Sequence, residues 1–105
     1  MGKRDLKNLL TAIETASGAD PRLDAKIDNI LRNSKEPGPA YTASVDSCLE
    51  LIHDVLPDWH WHVGRGAGGV MPYASLSKGN LKVVADGVTV PLVILAATVK
   101  ALSLQ

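Results

Sequence analysis

Residues 92–104 would carry apolar side chains around nearly the whole circumference of a helix. Leu92, Leu95, Val99 and Leu102 form one stripe, and Val93, Ile94, Ala97 and Ala101 continue the apolar surface around the other sides. Only Thr98, Lys100 and Ser103 are left as polar positions. A helix of this kind has to be buried on more than one side. A chain of 105 residues has limited material with which to surround it. The expectation is therefore that a second copy covers it, making a homo-oligomer with Leu92, Val93, Ile94, Leu95, Val99 and Leu102 at the interface.

The rest of the chain divides by hydrophobic period. Leu6, Leu9, Leu10 and Ile13 recur at helical spacing up to Ser17-Gly18. Asp20-Pro21 then starts a second helix, with the carboxylate as cap and proline at the first helical position. Leu23, Ile27, Ile30 and Leu31 are its apolar stripe. The polar run from Asn33 to Pro39 holds two prolines and reads as a linker between this hairpin and the main body. Val45, Cys48, Leu49, Ile52, Val55 and Leu56 then give a third helix, with Thr42 as its expected cap.

From Trp59 the period becomes two. Trp59, Trp61 and Val63 alternate with His60 and His62, as in a half-buried strand with both tryptophans packed beneath it. A Gly-rich loop, Gly64 to Gly69, leads to a second strand near 70–77, with Ala74 and Leu76 on one face and Tyr73, Ser75 and Ser77 on the other. Lys78-Gly79-Asn80 turns into a third strand over 81–85, and Thr89 caps the last helix. Short connections imply an antiparallel meander. The expected fold is α+β: an N-terminal helical hairpin (1–36) followed by an α-β-β-β-α layered sandwich (37–105) with a three-stranded antiparallel sheet, compact as one domain overall.

Composition excludes several classes of function. Eleven basic and eleven acidic residues cancel, and they are scattered, which argues against duplex DNA as a partner. Cys48 is the sole cysteine, so neither an intrachain disulfide nor a cysteine-based zinc site can form, as suits a reducing cytoplasm. The most apolar stretch, 88–97, is about half the length a bilayer requires, so no membrane association is expected.

Two clusters invite a chemical reading. His60 and His62 share a strand face with side chains about 6–7 Å apart. With His53 they could make a three-histidine set, but no further ligand stands at a zinc-site spacing, and no metal is assigned. Gly64, Gly66 and Gly68 with Arg65 resemble an anion nest with a guanidinium fork, although the loop precedes a strand and no Lys-Ser/Thr follows it. The candidate ligand residues are thus His60, His62, Gly64, Arg65, Gly66, Gly68 and Tyr73. Ser44, Asp46 and His53 have no spacing that argues for a triad, so no catalytic residue and no cofactor is assigned.

The run Tyr41-Thr42-Ala43-Ser44-Val45-Asp46, followed by Leu49-Glu50-Leu51-Ile52 and Trp59-His60-Trp61, resembles the phage ABA sandwich domain family. Thr89-Val90-Pro91 is similar to the start of that family's Ala/Leu-rich last helix, and residues 10–31 to its N-terminal portion. Ser47-Cys48 departs from the family's small-residue pair, and the Gly-rich loop is not one of its features. The resemblance implies a layered α/β fold and a phage protein acting in the host cell cytoplasm, with no catalytic residues to carry over. Two functions follow as expectations, ahead of a third in which His60 and His62 serve a small hydrolase. One is counter-defence by stoichiometric sequestration of an anionic, nucleotide-like signal in a homo-oligomer. The other is a protein–protein inhibitor or assembly factor that docks on a host or phage protein through the last helix or the N-terminal hairpin.

Overall fold

The structure, a computed structural model, describes residues 2–34, 38–66 and 71–105. Helices α1 (Lys3–Thr15), α2 (Pro21–Arg32), α3 (Val45–Val55) and α4 (Val90–Leu102) accompany strands β1 (His60–Arg65), β2 (Pro72–Lys78) and β3 (Leu81–Asp86). The sheet is antiparallel in the order β1-β2-β3, so the α+β class and the meander both stand. Local chemistry sets the element starts. The Asp20 carboxylate accepts from the N–H groups of Arg22 and Leu23, and Thr89 Oγ1 accepts from Leu92 N–H. The cap of α3 is Ser44, which accepts from Ser47 N–H; Thr42 instead lies buried in a single turn of 3-10 helix, Tyr41–Ala43.

Helix α4 is the centre of the molecule. The sheet packs on one side of it, through β2 and β3, while α1, α3 and the 3-10 turn pack on others. Leu92, Val93, Ile94, Leu95 and Val99 are all buried within one chain, and Leu102 is half-buried. The expected interface along this helix is thus corrected: the chain's own elements cover it, and it gives no reason for a second copy. Thr98, expected on the polar side, is also buried and spends its hydroxyl on Ile94 C=O at 2.7 Å.

The N-terminal hairpin contributes to this same core. Leu6, Leu9, Ile13, Leu23, Ile27 and Leu31 are buried in one cluster with the residues of α3, β2 and α4. A polar clamp fixes the hairpin to the body. Tyr41 Oη donates to Asp28 Oδ1 at 2.6 Å and accepts from Arg32 Nη1 at 3.1 Å. Thr42 N–H donates to Asp24 Oδ1 at 2.7 Å, and Asp20 N–H donates to Thr42 Oγ1 at 2.8 Å. Arg32 also pairs with Asp54 at the end of α3. Of the expected linker, residues 35–37 lie outside the described residues. Gly38 presses its backbone on the clamp: a Cβ there would lie 2.5 Å from Asp28 Cγ. Gly38→Ala should therefore lower stability by about 1–3 kcal/mol through overpacking, read as a fall in the urea midpoint.

Candidate functional site

Among the described residues, helices pack on one face of the sheet. On β2, Pro72, Ala74 and Leu76 are buried against α4, while Tyr73, Ser75 and Ser77 point to the opposite face and are half-buried. Residues paired across antiparallel strands share a face, so the register assembles the open side. Its three rows are His60–Ser77–Lys82, His62–Ser75–Val84 and Gly64–Tyr73–Asp86. His60, His62, Lys82, Val84 and Asp86 are exposed. Among the described residues, the helices pack on the opposite face, where Pro72, Ala74 and Leu76 are buried.

Local sequence builds the geometry. Gly79, at φ 60°, forms the two-residue turn with Asn80 that closes the Lys78–Leu81 pair. That turn fixes every later pairing of β3. Gly64 stands opposite Tyr73, and a Cβ at Gly64 would come within 3.2 Å of Tyr73 Oη. The missing side chain lets the phenol ring lie across β1 towards His62. There Tyr73 Oη hydrogen-bonds His62 Nε2 at 3.0 Å, with ring centroids 5.7 Å apart and planes tilted by 36°. The tautomer of His62 decides which partner donates. The pair forms a small aromatic platform with polar edges, flanked two residues along the strand by the His60–Ser77–Lys82 row. Such an arrangement can stack on a flat ring and donate to an anion at about 7 Å from it.

The sequence-predicted site is brought together only in part. His60, His62, Gly64 and Tyr73 meet on the open face. Arg65 does not join them: β1 runs through Arg65, so alternation turns its side chain to the helix side of the sheet, opposite Pro72. Gly66 closes the strand pair by donating its N–H to Met71 C=O. Gly68 lies outside the described residues, as do the neighbouring loop positions 67, 69 and 70. His53 is exposed on α3, and no metal-holding group of three His, Cys, Asp or Glu exists among the described residues.

The tryptophans separate as well. Trp59 is buried, with no partner for its Nε1 among the described residues, whereas Trp61 is 51% exposed. The expectation that both pack beneath the sheet thus fails for Trp61, because the helical layer stops short of β1. Ser75 and Ser77 lie on Tyr73's face as alternation predicts, and Lys82, Val84 and Asp86 join them there without a signal in the sequence reading. A cavity of about 220 Å3 lies elsewhere, between the end of α1 and the β3–α4 turn, lined mostly by Ile13, Ala16, Val88, Leu92, Val93 and Ala96. It contains none of the expected ligand residues, although Leu92 and Val93 of the expected interface and Asp86 at the end of β3 line it.

No helix among the described residues is long and apolar enough to cross a membrane. Comparison with family models, curated proteins and solved structures returned no match.

Proposed function

We propose that this protein is a stoichiometric binder, without catalytic activity, that holds an anionic, ring-bearing ligand of the nucleotide class on its open sheet face. The observation that carries the reading is the platform of His62 and Tyr73 beside the His60–Ser77–Lys82 row, on the exposed face of the sheet. The ring stacks on the platform, and the anion takes the imidazole, hydroxyl and ammonium donors of the row. The phage resemblance gives such a binder a role in counter-defence, sequestering a nucleotide immune signal in the host cytoplasm. Docking on a host protein is the competing reading. It loses both of its expected surfaces, because the apolar sides of α4 and of the hairpin are buried in the chain's own core.

Titration calorimetry with mono-, di- and cyclic nucleotides tests the proposal. Binding of one of them is expected. Lys82→Ala and His60→Ala should each weaken it about tenfold or more, since a hydrogen bond to a charged group contributes about 1.5–3 kcal/mol. Arg65→Ala should leave it unchanged, because that side chain faces the other way. Silence with every nucleotide, or a loss with Arg65→Ala alone, rejects this site.

A further inference from the structure

The two outer edges of the sheet are treated differently. Gly87 N–H donates to Pro72 C=O, in register with the β2–β3 ladder. Hydrogen-bonded pairs alternate along an antiparallel ladder, so Lys82, Val84 and Asp86 direct their backbone groups outward. That edge is guarded: Lys100 Nζ donates to Val84 C=O at 3.0 Å, and two of the three outward residues are charged. Lysine and charge on an edge strand oppose further pairing.

On the other side, Gly66 N–H donates to Met71 C=O, in register with the β1–β2 ladder. By the same alternation Trp61, Val63 and Arg65 direct their N–H and C=O groups away from β2. β1 contains no lysine and no proline, and no strand among the described residues pairs with its outer edge. Trp61, half exposed, stands on this edge.

We propose that β1 pairs antiparallel with β1 of a second copy about a two-fold axis at Val63, joining two sheets into one. The occupant is a second copy because the edge is self-complementary. Pairing centred on Val63 sets Val63 against itself and Trp61 against Arg65 of the other copy. These are the three residues whose backbone groups point outward, and each such pair exchanges two N–H···O bonds. Trp61 and Arg65 lie on the same face, so each indole meets a guanidinium across the seam, an attractive cation–π pairing. On the open face His62 meets Gly64 of the other copy, over which that copy's own Tyr73 ring lies. Zero formal net charge leaves no long-range repulsion between copies. The consequence for ligand binding rests on the preceding proposal: the platforms of both copies would flank one seam, and the ligand face would double.

Sedimentation equilibrium and thiol crosslinking, both without nucleotide, test the pairing independently of any ligand. The expected mass is twice 11.1 kDa. Val63→Cys should crosslink to itself with a short bis-alkylating reagent, since Cα atoms of a hydrogen-bonded pair lie about 5.5 Å apart. Trp61→Cys should not, since the two copies of that position are offset by about 13 Å along the strands. Cys48 is buried and does not interfere. Trp61→Lys places like charges opposite each other and should weaken the dimer at least tenfold; the site's exposure lets the chain fold. A wild-type mass of 11.1 kDa at the highest soluble concentration overturns the proposal. So does a dimer indifferent to Trp61→Lys, or crosslinking as efficient from position 61 as from 63.

Discussion

Replacing Ile94 by alanine is expected to lower the unfolding free energy by about 3 kcal/mol, within the range of about 2–5 for a buried Ile→Ala change. Ile94 is 1% exposed on α4, a helix enclosed by the sheet, α1, α3 and the 3-10 turn. Neighbours on so many sides cannot all relax into the space left by the side chain, so most of the cavity persists. Urea unfolding of both proteins measures the deficit, and the deficit should be the same at every protein concentration, because all the lost contacts lie within one chain. If α4 packed on another copy, the deficit would shrink on dilution as the monomer became the reference. For a domain of this size a loss of that order is a large part of the total stability.

The same helix shows what patterning can and cannot reveal. The circumferential run of Leu, Ile, Val and Ala stated correctly that α4 is buried on several sides, since hydropathy reports the environment of a side chain. It did not state what makes the environment. That depends on whether the N-terminal hairpin docks, and docking is held in part by Tyr41, Thr42 and three aspartates spaced four apart: Asp20, Asp24 and Asp28. From sequence, Asp20 reads as a cap and Asp24 as a helix position off the apolar stripe. Only the fold shows that this polar edge meets the 3-10 turn. Thr42 likewise has the chemistry of a cap, and Ser44 takes the role because the chain makes an extra turn first.

On the sheet, alternation placed His60, His62 and Tyr73 correctly, since period two is a strong constraint wherever one face is buried. Arg65 reads from sequence as part of a loop, because Gly64 looks like the loop's start. The strand in fact continues one residue beyond it, and one residue is enough to change faces. Lys82, Val84 and Asp86 were legible in principle: a two-residue Gly79-Asn80 turn fixes the pairing of Lys82 with Ser77 and of Asp86 with Tyr73. The exposure of Trp61 was not legible, because it depends on how far the helical layer reaches across the sheet.

Raising the pH from 9 towards 12 should remove several kcal/mol of stability, and two buried groups of the hairpin–body junction account for it. Burial pushes the Cys48 thiol from 9.0 up to about 12, with a smaller contribution from the negative charge of Asp24. Burial also raises the Tyr41 phenol from 10.0 to about 12; its hydrogen bond to Asp28 adds to the rise, and Arg32 opposes it. Both groups hold their protons more tightly folded than unfolded. Stability is therefore fully present below pH 9 and falls as the unfolded chain begins to release protons that the folded chain retains. For Cys48 alone the interval between 9.0 and about 12 corresponds to a loss on the order of 4 kcal/mol. Urea midpoints measured across this interval should fall steadily in the wild type. Cys48→Ala should flatten the slope most, at a modest cost in stability at neutral pH. Tyr41→Phe should flatten it less and cost about 1.5–3 kcal/mol at neutral pH, because it removes the hydroxyl that donates to the buried Asp28 carboxylate. A slope unchanged by both substitutions would mean that thiol and phenol ionise as freely in the folded chain as in the unfolded one, which their burial at 0% exposure forbids if the hairpin is docked.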